Sequence, residues 1–544
     1  MSAIIEVIVK YNSNIDFLEK LGIIVEILNE NYAILTLKTS QVPSLYNFRE
    51  IEYIEFPKDF TFSLKKGTAA SNISKFRALG YRGNGVIIGV IDSGIDYLHP
   101  DFISKDGKSR ILFIWDQTIR GNVPEGFKDG SEYNNQQINE ALKVENSYDI
   151  ISEVDLLGHG TAVCGIAAGG GVLNKHLEGV APDASLIVVK VGKNTNVATT
   201  TDIMRAIKYI MTKAEELNMP VVVNLSFGAN DGSHDGLSIL ETYIDAMSKR
   251  WKSVFVVASG NEGAASHHYE GKLKKNEIHE IKFVVSENLS KLYLTLWKNF
   301  VDTMDFELIL PNGNSLGYLN ENNRVINKNI EGIRITAHYK EPTHYNKNQE
   351  IYFMFNGEDA YIPAGIWILK VSANDSIVDG KINAWLPTTA EVGIKTAFTN
   401  PTVTKTLTIP STSASVITVG GYDCSNDTAA IFTGQGENNF LDCKPDLVAP
   451  AVNIISTAKN GNYESFSGTS LAAPFITGVV ALLLEWGIVQ KNDTFLYGQK
   501  IKAFLIKNTR KFAGTKYPNP VLGYGCLYMQ TMMNDLIKYK RNKN

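Results

Sequence analysis

Four continuous apolar segments, separated by helical patterns, constrain most strongly what this chain can fold into. They are GVIIGVID (85–92), SLIVVKV (185–191), VVVNLSF (221–227) and SVFVVASG (253–260). A segment that is apolar at every position suits a strand of a parallel sheet covered on both faces. A helical pattern at 201–217 lies between the second and the third segment. Strands that alternate with helices predict a doubly wound α/β sheet, in which functional residues gather at the carboxyl ends of the strands.

Two other regions have different patterns and predict further domains. Residues 1–60 follow the order β-α-β-β-α-β, which is typical of a ferredoxin-like fold. Residues 272–390 contain short alternating segments separated by Asn, Gly and Pro turns, which predict an all-β sandwich or jelly roll. We therefore assign an N-terminal domain (1–64), an α/β domain in two parts (65–271 and 391–544) and an inserted β domain (272–390).

Composition argues against several classes of function. The net charge is −4 over 544 residues and no large basic block is present, so we expect no nucleic-acid partner. Cys164, Cys424, Cys443 and Cys526 form no CxxC pair, which argues against zinc and suits free thiols in a reducing compartment. The N-terminus lacks a basic region followed by an apolar one, so we expect no signal peptide. The apolar segment 475–489 is too interrupted to span a bilayer and is interpreted as a buried helix.

Three reactive residues begin or end predicted elements. Asp92 lies in VIDSGIDYLHPDF, His159 in GHGTAVCGIAAG and Ser470 in SFSGTSLAAP. Taken singly, they could be a strand-end Asp, a core histidine and a helix N-cap. Taken together they are the types that nucleophilic catalysis needs, because a serine hydroxyl requires a base, His serves as that base near neutral pH, and a buried carboxylate orients the His. Asn261, in VVASGNEG, could donate its amide to the oxyanion beside the Ser470 N–H.

These segments, together with VNLSFG, resemble the signature blocks of the subtilase (subtilisin-like) serine proteases. The resemblance covers roughly residues 80–265 and 405–530. It implies that Asp92, His159 and Ser470 form the triad and that Asn261 is the oxyanion donor. It also implies that two extended segments pair with substrate as an added strand, Ser226-Phe227-Gly228 and Ala258-Ser259-Gly260.

The N-terminal domain resembles the inhibitor-like prodomain of this family. The resemblance implies self-cleavage, which we place at residues 60–67, and an intramolecular inhibitor. The prodomain, the β-rich insertion and the expected lack of an export signal are similar to the Csp-type subtilases of clostridial spores. That narrower resemblance implies a serine endopeptidase that activates a cortex-lytic zymogen during germination. The expected partners are therefore this protein substrate and the chain's own prodomain, in a cytoplasmic or spore-associated location, with no membrane span.

Two rival functions remain open at this point. One is a pseudoprotease whose cleft stays blocked by its prodomain and whose insertion binds a partner. The other is a general degradative subtilase inside the cell. The role of the insertion is open as well, since it could stabilise the fold, bind a partner or restrict access.

The sequence also bears on metal binding. No cofactor is expected. Asp101 matches a family position that binds calcium, but the loop GGGVLNKHLEGV is short and holds a lysine and a histidine where oxygen ligands are needed, so we do not expect a site there. The adjacent His267 and His268 are interpreted as loop residues, and Cys164 as a buried thiol.

Residues 106–142 lengthen the interval between Asp92 and His159, and for this segment we favour a surface flap over a wall of the cleft.

Overall fold

The computed structural model describes residues 3–62, 65–66, 80–192, 197–357, 360–373, 377–437, 443–528, 532, 535–536 and 538–539, with only the backbone of Lys65 and Lys66. It contains an N-terminal α+β domain, a large α/β core and an inserted all-β domain. The predicted fold class is confirmed by this architecture.

The N-terminal domain is a four-stranded antiparallel sheet covered by short helices. Its elements are β1 (Ile4–Tyr11), a 3₁₀ helix (Asp16–Leu21), β2 (Ile24–Ile27), β3 (Tyr32–Lys38), a 3₁₀ turn (Thr39–Gln41), α1 (Val42–Leu45) and β4 (Ile51–Glu55). The sheet order β2-β3-β1-β4 is that of a ferredoxin-like fold. Because side chains alternate along β1, Val7 and Val9 pack in the domain's own core while Ile8 packs against the α/β core.

The first part of the α/β core follows two short strands, β5 (Asp59–Thr61) and β6 (Lys65–Lys66). Its strands are β7 (Ile87–Asp92), β8 (Ile111–Asp116), β9 (Ser131–Asn134), β10 (Ser185–Lys190), β11 (Val197–Thr199), β12 (Val221–Leu225) and β13 (Ser253–Ala258). Its helices are α2 (Asn135–Ala141), α3 (His159–Ala168), α4 (Thr200–Glu216) and α5 (Ile239–Met247), with 3₁₀ turns at Pro100–Phe102, Ser147–Asp149 and Lys175–Leu177.

The inserted domain consists of two sheets that share one apolar core. Its strands are β14 (His268–Lys272), β15 (Ile278–Val285), β16 (Lys291–Asn299), β17 (Asp305–Ile309), β18 (Ser315–Leu319), β19 (Val325–Ile330), β20 (Ile333–Tyr339), β21 (Asn348–Asn356), β22 (Gly365–Ser372), β23 (Lys381–Trp385) and β24 (Ala397–Phe398), with α6 (Thr389–Val392) before the last. The sheet orders are β14-β23-β16-β21-β20-β19 and β18-β17-β22-β15-β24. Alternating buried side chains from both sheets, such as Phe283 and Phe353, fill the space between them.

The second part of the core completes the central sheet. Its elements are β25 (Ile417–Asp423), β26 (Thr428–Ala429), β27 (Leu447–Pro450), β28 (Ile454–Ala458), β29 (Asn462–Ser467), α7 (Thr469–Leu484), α8 (Gln499–Lys507), β30 (Thr509–Arg510) and β31 (Cys526–Leu527). The central sheet has the order β30-β31-β27-β25-β13-β12-β7-β10-β8-β9, and β27 through β8 in this order run parallel. The residues that follow β7, β12 and β13 therefore meet at one edge of the sheet.

The segment 106–142 is not the surface flap that the sequence analysis favoured. Its apolar stretch forms β8, which pairs in parallel with β10 and extends the central sheet. β8 lies between β10 and β9, and Ile111, Ile114 and Trp115 are buried there. These apolar side chains gain more free energy by burial in the sheet than by facing water in a flap.

One described helix, Thr469–Val489, is long and apolar enough to cross a membrane, and 94% of its 18-residue apolar stretch is buried inside the protein. It consists of α7 and a wider turn, Glu485–Val489, that continues it. Its packing in the main core agrees with the interpretation of 475–489 as part of a buried helix.

Ion pairs fasten the N-terminal domain to the rest of the chain. The guanidinium of Arg205 on α4 contacts Glu6 at 2.6 Å and Glu26 at 2.9 Å, and all three side chains are at least two-thirds buried. Lys58 lies 3.2 Å from Asp231 of the core, with both side chains largely buried. A buried charge without a partner is costly, so these pairs stabilise the contact between the N-terminal domain and the core. Separating the two would break the pairs and expose their charges to water.

Candidate active site

Asp92 and His159, far apart in sequence, form a buried pair at the end of β7. Asp92 is the last residue of the strand, and His159 is the first residue of α3. The His159 Nδ1 lies 2.6 Å from the Asp92 Oδ1, and both side chains are essentially inaccessible to solvent. The Nε2 of His159 has no hydrogen-bond partner among the described residues. This arrangement leaves Nε2 available to exchange a proton with a substrate or nucleophile.

Asp155 holds this pair in place, a role that the sequence analysis did not identify. Its Oδ1 accepts hydrogen bonds from the Ser93 hydroxyl and the Gly158 N–H, both at 2.8 Å. Its Oδ2 accepts from the Thr161 N–H at 2.9 Å and from the Thr161 hydroxyl at 2.6 Å. One carboxylate thus joins the turn after Asp92 to the first turn of the helix that carries His159.

Ser470 is not the N-cap of its helix. Gly468 occupies that position, α7 begins at Thr469, and Ser470 lies in the first turn. A Cβ on Gly468 would lie 3.0 Å from the Ser470 Oγ, so a side chain there would crowd the hydroxyl. The alternative of a capping serine is therefore excluded, and the helix directs its positive dipole end towards this residue.

Three polar groups fix α7 against the strand ends. The Ser226 hydroxyl donates to the Ser470 carbonyl at 2.9 Å. The Asn224 amide donates to Ser226 at 2.8 Å, and the Thr477 hydroxyl donates to Asn224 at 2.8 Å. Ser226, predicted as a substrate-binding residue, here positions the helix that carries Ser470.

Asn261 points its amide into the cleft because its carbonyl is already engaged. The Asn261 Oδ1 accepts from the Thr469 N–H at 2.9 Å and from the Thr469 hydroxyl at 3.1 Å. These donors face the oxygen, so Nδ2 is the atom left for a ligand. The structure therefore places a side-chain amide next to Ser470, as an oxyanion site requires.

The cleft already holds a strand from the end of the N-terminal domain. The backbone N–H of Thr61 donates to the Gly228 carbonyl at 3.3 Å, and β5 pairs with β11 on its other edge. Further along the chain, β6 pairs with β29 at Ser467. The Phe62 ring lies 5.7 Å from the His159 ring and 5.6 Å from the Phe227 ring, measured between centroids.

The predicted substrate-binding segment Ser226-Phe227-Gly228, which forms one wall of the cleft, thus contacts the strand from the N-terminal domain directly. The second predicted wall is less simple, since the Ser259 backbone pairs with Thr408 and Val419, while Ala258 and Gly260 line the cavity beside Ser470. Sequence reasoning missed β11, because a three-residue strand after four undistinguished residues carries too little pattern to be recognised.

The other histidines and cysteines singled out by sequence do not gather around a metal. Within the described ranges, no three His, Cys, Asp or Glu side chains could hold a metal ion together. His267 contacts Glu262 at 2.8 Å, and His268, the first residue of β14 rather than a loop residue, stacks on Trp385. Cys164 is fully buried on α3, as expected.

The environment of His159 sets the expected pH dependence. Burial lowers the pKa of His159. The charge of Asp92, its hydrogen bond and the charge of Asp155 together raise this pKa by more than burial lowers it, so the net shift is upward. A base must be unprotonated, so we expect kcat/KM to rise with pH through an apparent pKa above the ordinary value of about 6.5. Initial rates on a short peptide between pH 5 and 10 measure this limb.

A His176→Asn variant is the matched control, because His176 is exposed in the 3₁₀ turn Lys175–Leu177. Its profile should overlay that of the unmodified protein. A limb centred at or below pH 6.5 in both proteins would contradict the buried Asp92–His159 pair as the titrating unit.

Removing the Asn261 amide should slow turnover without weakening substrate binding. We expect Asn261→Ala to lower kcat by about 10²–10³-fold with little change in KM, because the amide contacts the oxyanion only in the transition state. Steady-state kinetics at saturating and limiting peptide separate the two constants. Asn312→Ala, at an exposed position of the insertion, is the control. A rise in KM with unchanged kcat would assign Asn261 to substrate binding instead.

Comparisons with known proteins agree with this geometry. The model of the subtilase family matches residues 83–288 and 368–525, and the model described as Csp protease B prodomain matches residues 1–58. The structure of the CspB protease from Clostridium perfringens is 37% identical, with a TM-score of 0.78 over 86% of this chain and 96% of that one.

More distant relatives are similar in fold or in part of their sequence. The epidermin leader peptide processing serine protease of Staphylococcus aureus, 16% identical with a TM-score of 0.51 over 98% of this chain and 99% of that one, shares the fold. The PIII-type proteinase of Lactococcus lactis subsp. cremoris is 24% identical over 89% of this chain, which spans only 26% of that proteinase. From the two family models and the CspB structure together, we conclude that this chain belongs to the subtilase family of serine peptidases and, within it, to the Csp-type subtilases.

Proposed function

We propose that this subtilase is a processing endopeptidase that activates a cortex-lytic proenzyme during spore germination. The observation that carries the proposal is the cleft, which binds an extended chain on both sides of the catalytic residues, at Gly228 before them and at Ser467 after them. Binding on both sides suits cleavage within a protein rather than at its end. The similarity to the CspB protease supports the germination role and a spore-associated location.

The residues divide the chemistry among them. Ser470 attacks the carbonyl carbon of the cleaved bond while His159 takes its proton and later returns it to the leaving amine. Asp92 keeps the proton of His159 on Nδ1 and stabilises the imidazolium. The Asn261 amide and the Ser470 N–H bind the oxyanion, with the dipole of α7 adding to their effect. The reaction uses these side chains and water, with no cofactor.

The same cleft cleaves the chain itself between Phe62 and Lys65. Thr61 pairs with Gly228 on one side of the catalytic residues and Lys65 pairs with Ser467 on the other. Three peptide bonds lie between Phe62 and Lys65, and the middle one joins Ser63 to Leu64, which lie outside the described residues. We place the cut at this bond, within the interval 60–67 expected from sequence, and the released N-terminal domain stays bound through Arg205 as an intramolecular inhibitor.

A direct test uses a cortex-lytic proenzyme of a clostridial spore as substrate and denatured casein as a non-specific one. Purified protein should cut the proenzyme once, to a product of defined mass, and casein far more slowly. The Ser470→Ala protein is the matched control and should leave both intact. Extensive casein degradation would favour a general degradative role, while no cleavage together with no labelling of Ser470 by a fluorophosphonate would favour a pseudoprotease.

We also propose that this chain does without calcium at the family position Asp101. The buried carboxylate of Asp101 already accepts hydrogen bonds from the Tyr463 hydroxyl at 2.9 and 3.0 Å and from the Val172 N–H at 2.8 Å. Glu178, in the neighbouring loop, faces Arg82 at 2.9 Å. Donors therefore occupy the oxygen atoms that a calcium ion would need.

Chelation should therefore leave the stability of this region unchanged. We expect the melting temperature to be the same in EDTA and in millimolar calcium, within the error of the measurement. Tyr463→Phe should lower it in both conditions, because a buried carboxylate loses a donor. A clear rise in melting temperature with calcium would contradict the proposal.

A further inference from the structure

Thr408 lies between the two walls of the substrate cleft. Its backbone N–H donates to the Ser259 carbonyl at 3.1 Å, and the N–H of the next residue, Ile409, donates to the Ala229 carbonyl at 2.9 Å. The segment at 408–409 therefore bridges the two predicted substrate-binding segments. Thr408 also lines the cavity beside Ser470, which we take to receive the side chain preceding the cleaved bond.

The Thr408 side chain takes up the space between the two glycines of these walls. A Cβ added to Gly228 would lie 2.2 Å from the Thr408 Oγ1, and one added to Gly260 would lie 2.5 Å from the Thr408 Cγ2. Real atoms do not approach so closely, so both walls are glycine because the threonine stands against them. No room is left between the walls for a large side chain.

The hydroxyl of Thr408 is buried and makes no hydrogen bond within the described residues. Thr408 is 3% exposed, and its Oγ1 has no hydrogen-bond partner among the described residues. A buried hydroxyl without a partner is costly, so an atom of a bound ligand that hydrogen-bonds to it would be favoured. The cavity that Thr408 lines next to Ser470 measures about 30 Å³, and Thr61 closes it on the prodomain side.

Glu262 also lines this cavity, but its carboxylate is already hydrogen-bonded. The Glu262 oxygens accept from the Thr389 N–H at 3.1 Å and from the Thr389 hydroxyl at 3.0 Å. His267 contacts the same carboxylate at 2.8 Å. Both Glu262 oxygens are therefore engaged by Thr389 and His267, so this carboxylate does not attract a lysine or an arginine as a free charge would.

We propose that Thr408 is the residue that determines specificity for the side chain preceding the cleaved bond, and that this position accepts only glycine, alanine or serine, with serine preferred. The inference rests on the proposed protease function and names its substrate class. It also selects one of the three bonds between Phe62 and Lys65, because Ser63 is the only small residue that precedes any of them.

A matched peptide series tests the size limit. Peptides that differ only at this position, with serine, alanine, leucine or phenylalanine, are compared by kcat/KM. We expect leucine and phenylalanine to be at least about 100-fold poorer than serine, since one misfitting methylene alone changes selectivity by about 10–200-fold. Thr408→Gly should raise kcat/KM for phenylalanine at least tenfold, and Thr408→Val, which keeps the size, should abolish only the preference of serine over alanine.

A swap within the full chain tests the same limit without added substrate. Ser63→Ala should be cut like the unmodified chain, Ser63→Phe should stay whole, and the double variant Ser63→Phe with Thr408→Gly should be cut again. Self-cleavage of Ser63→Phe at the same bond, or equal rates on the serine and phenylalanine peptides, would overturn the inference. Thr408→Ala replaces Thr408→Gly if the glycine variant does not fold.

Labelling of Ser470 by a small fluorophosphonate separates this inference from the proposed function, because the probe carries no side chain for the cavity. A labelled protein that cuts without preference removes the role of Thr408 and leaves the protease. A protein that neither reacts with the probe nor cuts any peptide removes both.

Discussion

Replacing Ser470 by alanine should leave the full chain uncut and abolish its action on every peptide. Without the hydroxyl, His159 has no nucleophile to activate, and only the oxyanion donors and the binding walls remain. In subtilisin, loss of the nucleophile alone costs about 10⁶-fold in kcat, nearly as much as loss of the whole triad. Intact mass of the purified wild-type and variant proteins measures the effect, with two fragments expected from the first and a single full-length species from the second.

Ser425→Ala is the control, since Ser425 is exposed in a turn and donates only to Asp423. It should be cut like the wild type. If the Ser470→Ala chain is cut at the same bond, another protease makes the cut and the self-cleavage proposal fails. If the wild type stays whole although fluorophosphonate labels Ser470, the triad works and the prodomain does not pass through it as substrate.

The candidate catalytic residues could be predicted from sequence because each lies at the beginning or the end of a predicted strand or helix. Asp92 ends β7, and Asn261 follows β13. In a parallel sheet these strand ends lie at one edge, so order along the chain becomes proximity in space. The same pattern predicted the α/β core and the alternating strands of the insertion, whose side-chain periods are short enough to be read locally.

Features that depend on distant pairing could not be predicted in this way. Asp155 joins two turns through four hydrogen bonds, yet in sequence it is one carboxylate in a loop. The side chain of Thr408 reaches the cleft only because the segment after the insertion returns between its walls. The sequence favours a surface flap for residues 106–142 because nothing local shows that β10 lies beside 111–116. In each case the partner is set by the folded chain rather than by neighbouring residues.

Replacing Asp92 by asparagine should lower kcat by about 10⁴-fold while leaving the fold intact. Asparagine fits the same space. The Asp92 Oδ1 that contacts Nδ1 of His159 also accepts the Ser93 N–H at 2.8 Å, so an amide nitrogen at this position gives up that one hydrogen bond. The amide would donate to Nδ1 of His159, so the imidazole proton would move to Nε2. An Nε2 that carries a proton cannot take one from Ser470. Single-turnover and steady-state rates on a small-residue peptide, with thermal melting as the check on folding, measure the loss.

Asp96→Asn is the matched control, because Asp96 lies in the same loop and its carboxylate accepts only backbone N–H groups, from Leu98 and Gly461. We expect its kcat to stay within severalfold of the wild type. The residual activity of Asp92→Asn carries a second signature, since removal of the Asp92 charge also removes a cause of the raised pKa of His159, so the acid limb should move to lower pH. A loss of rate with an unmoved limb would mean that Asp92 orients His159 without setting its charge, and an unchanged rate would remove Asp92 from the catalytic machinery.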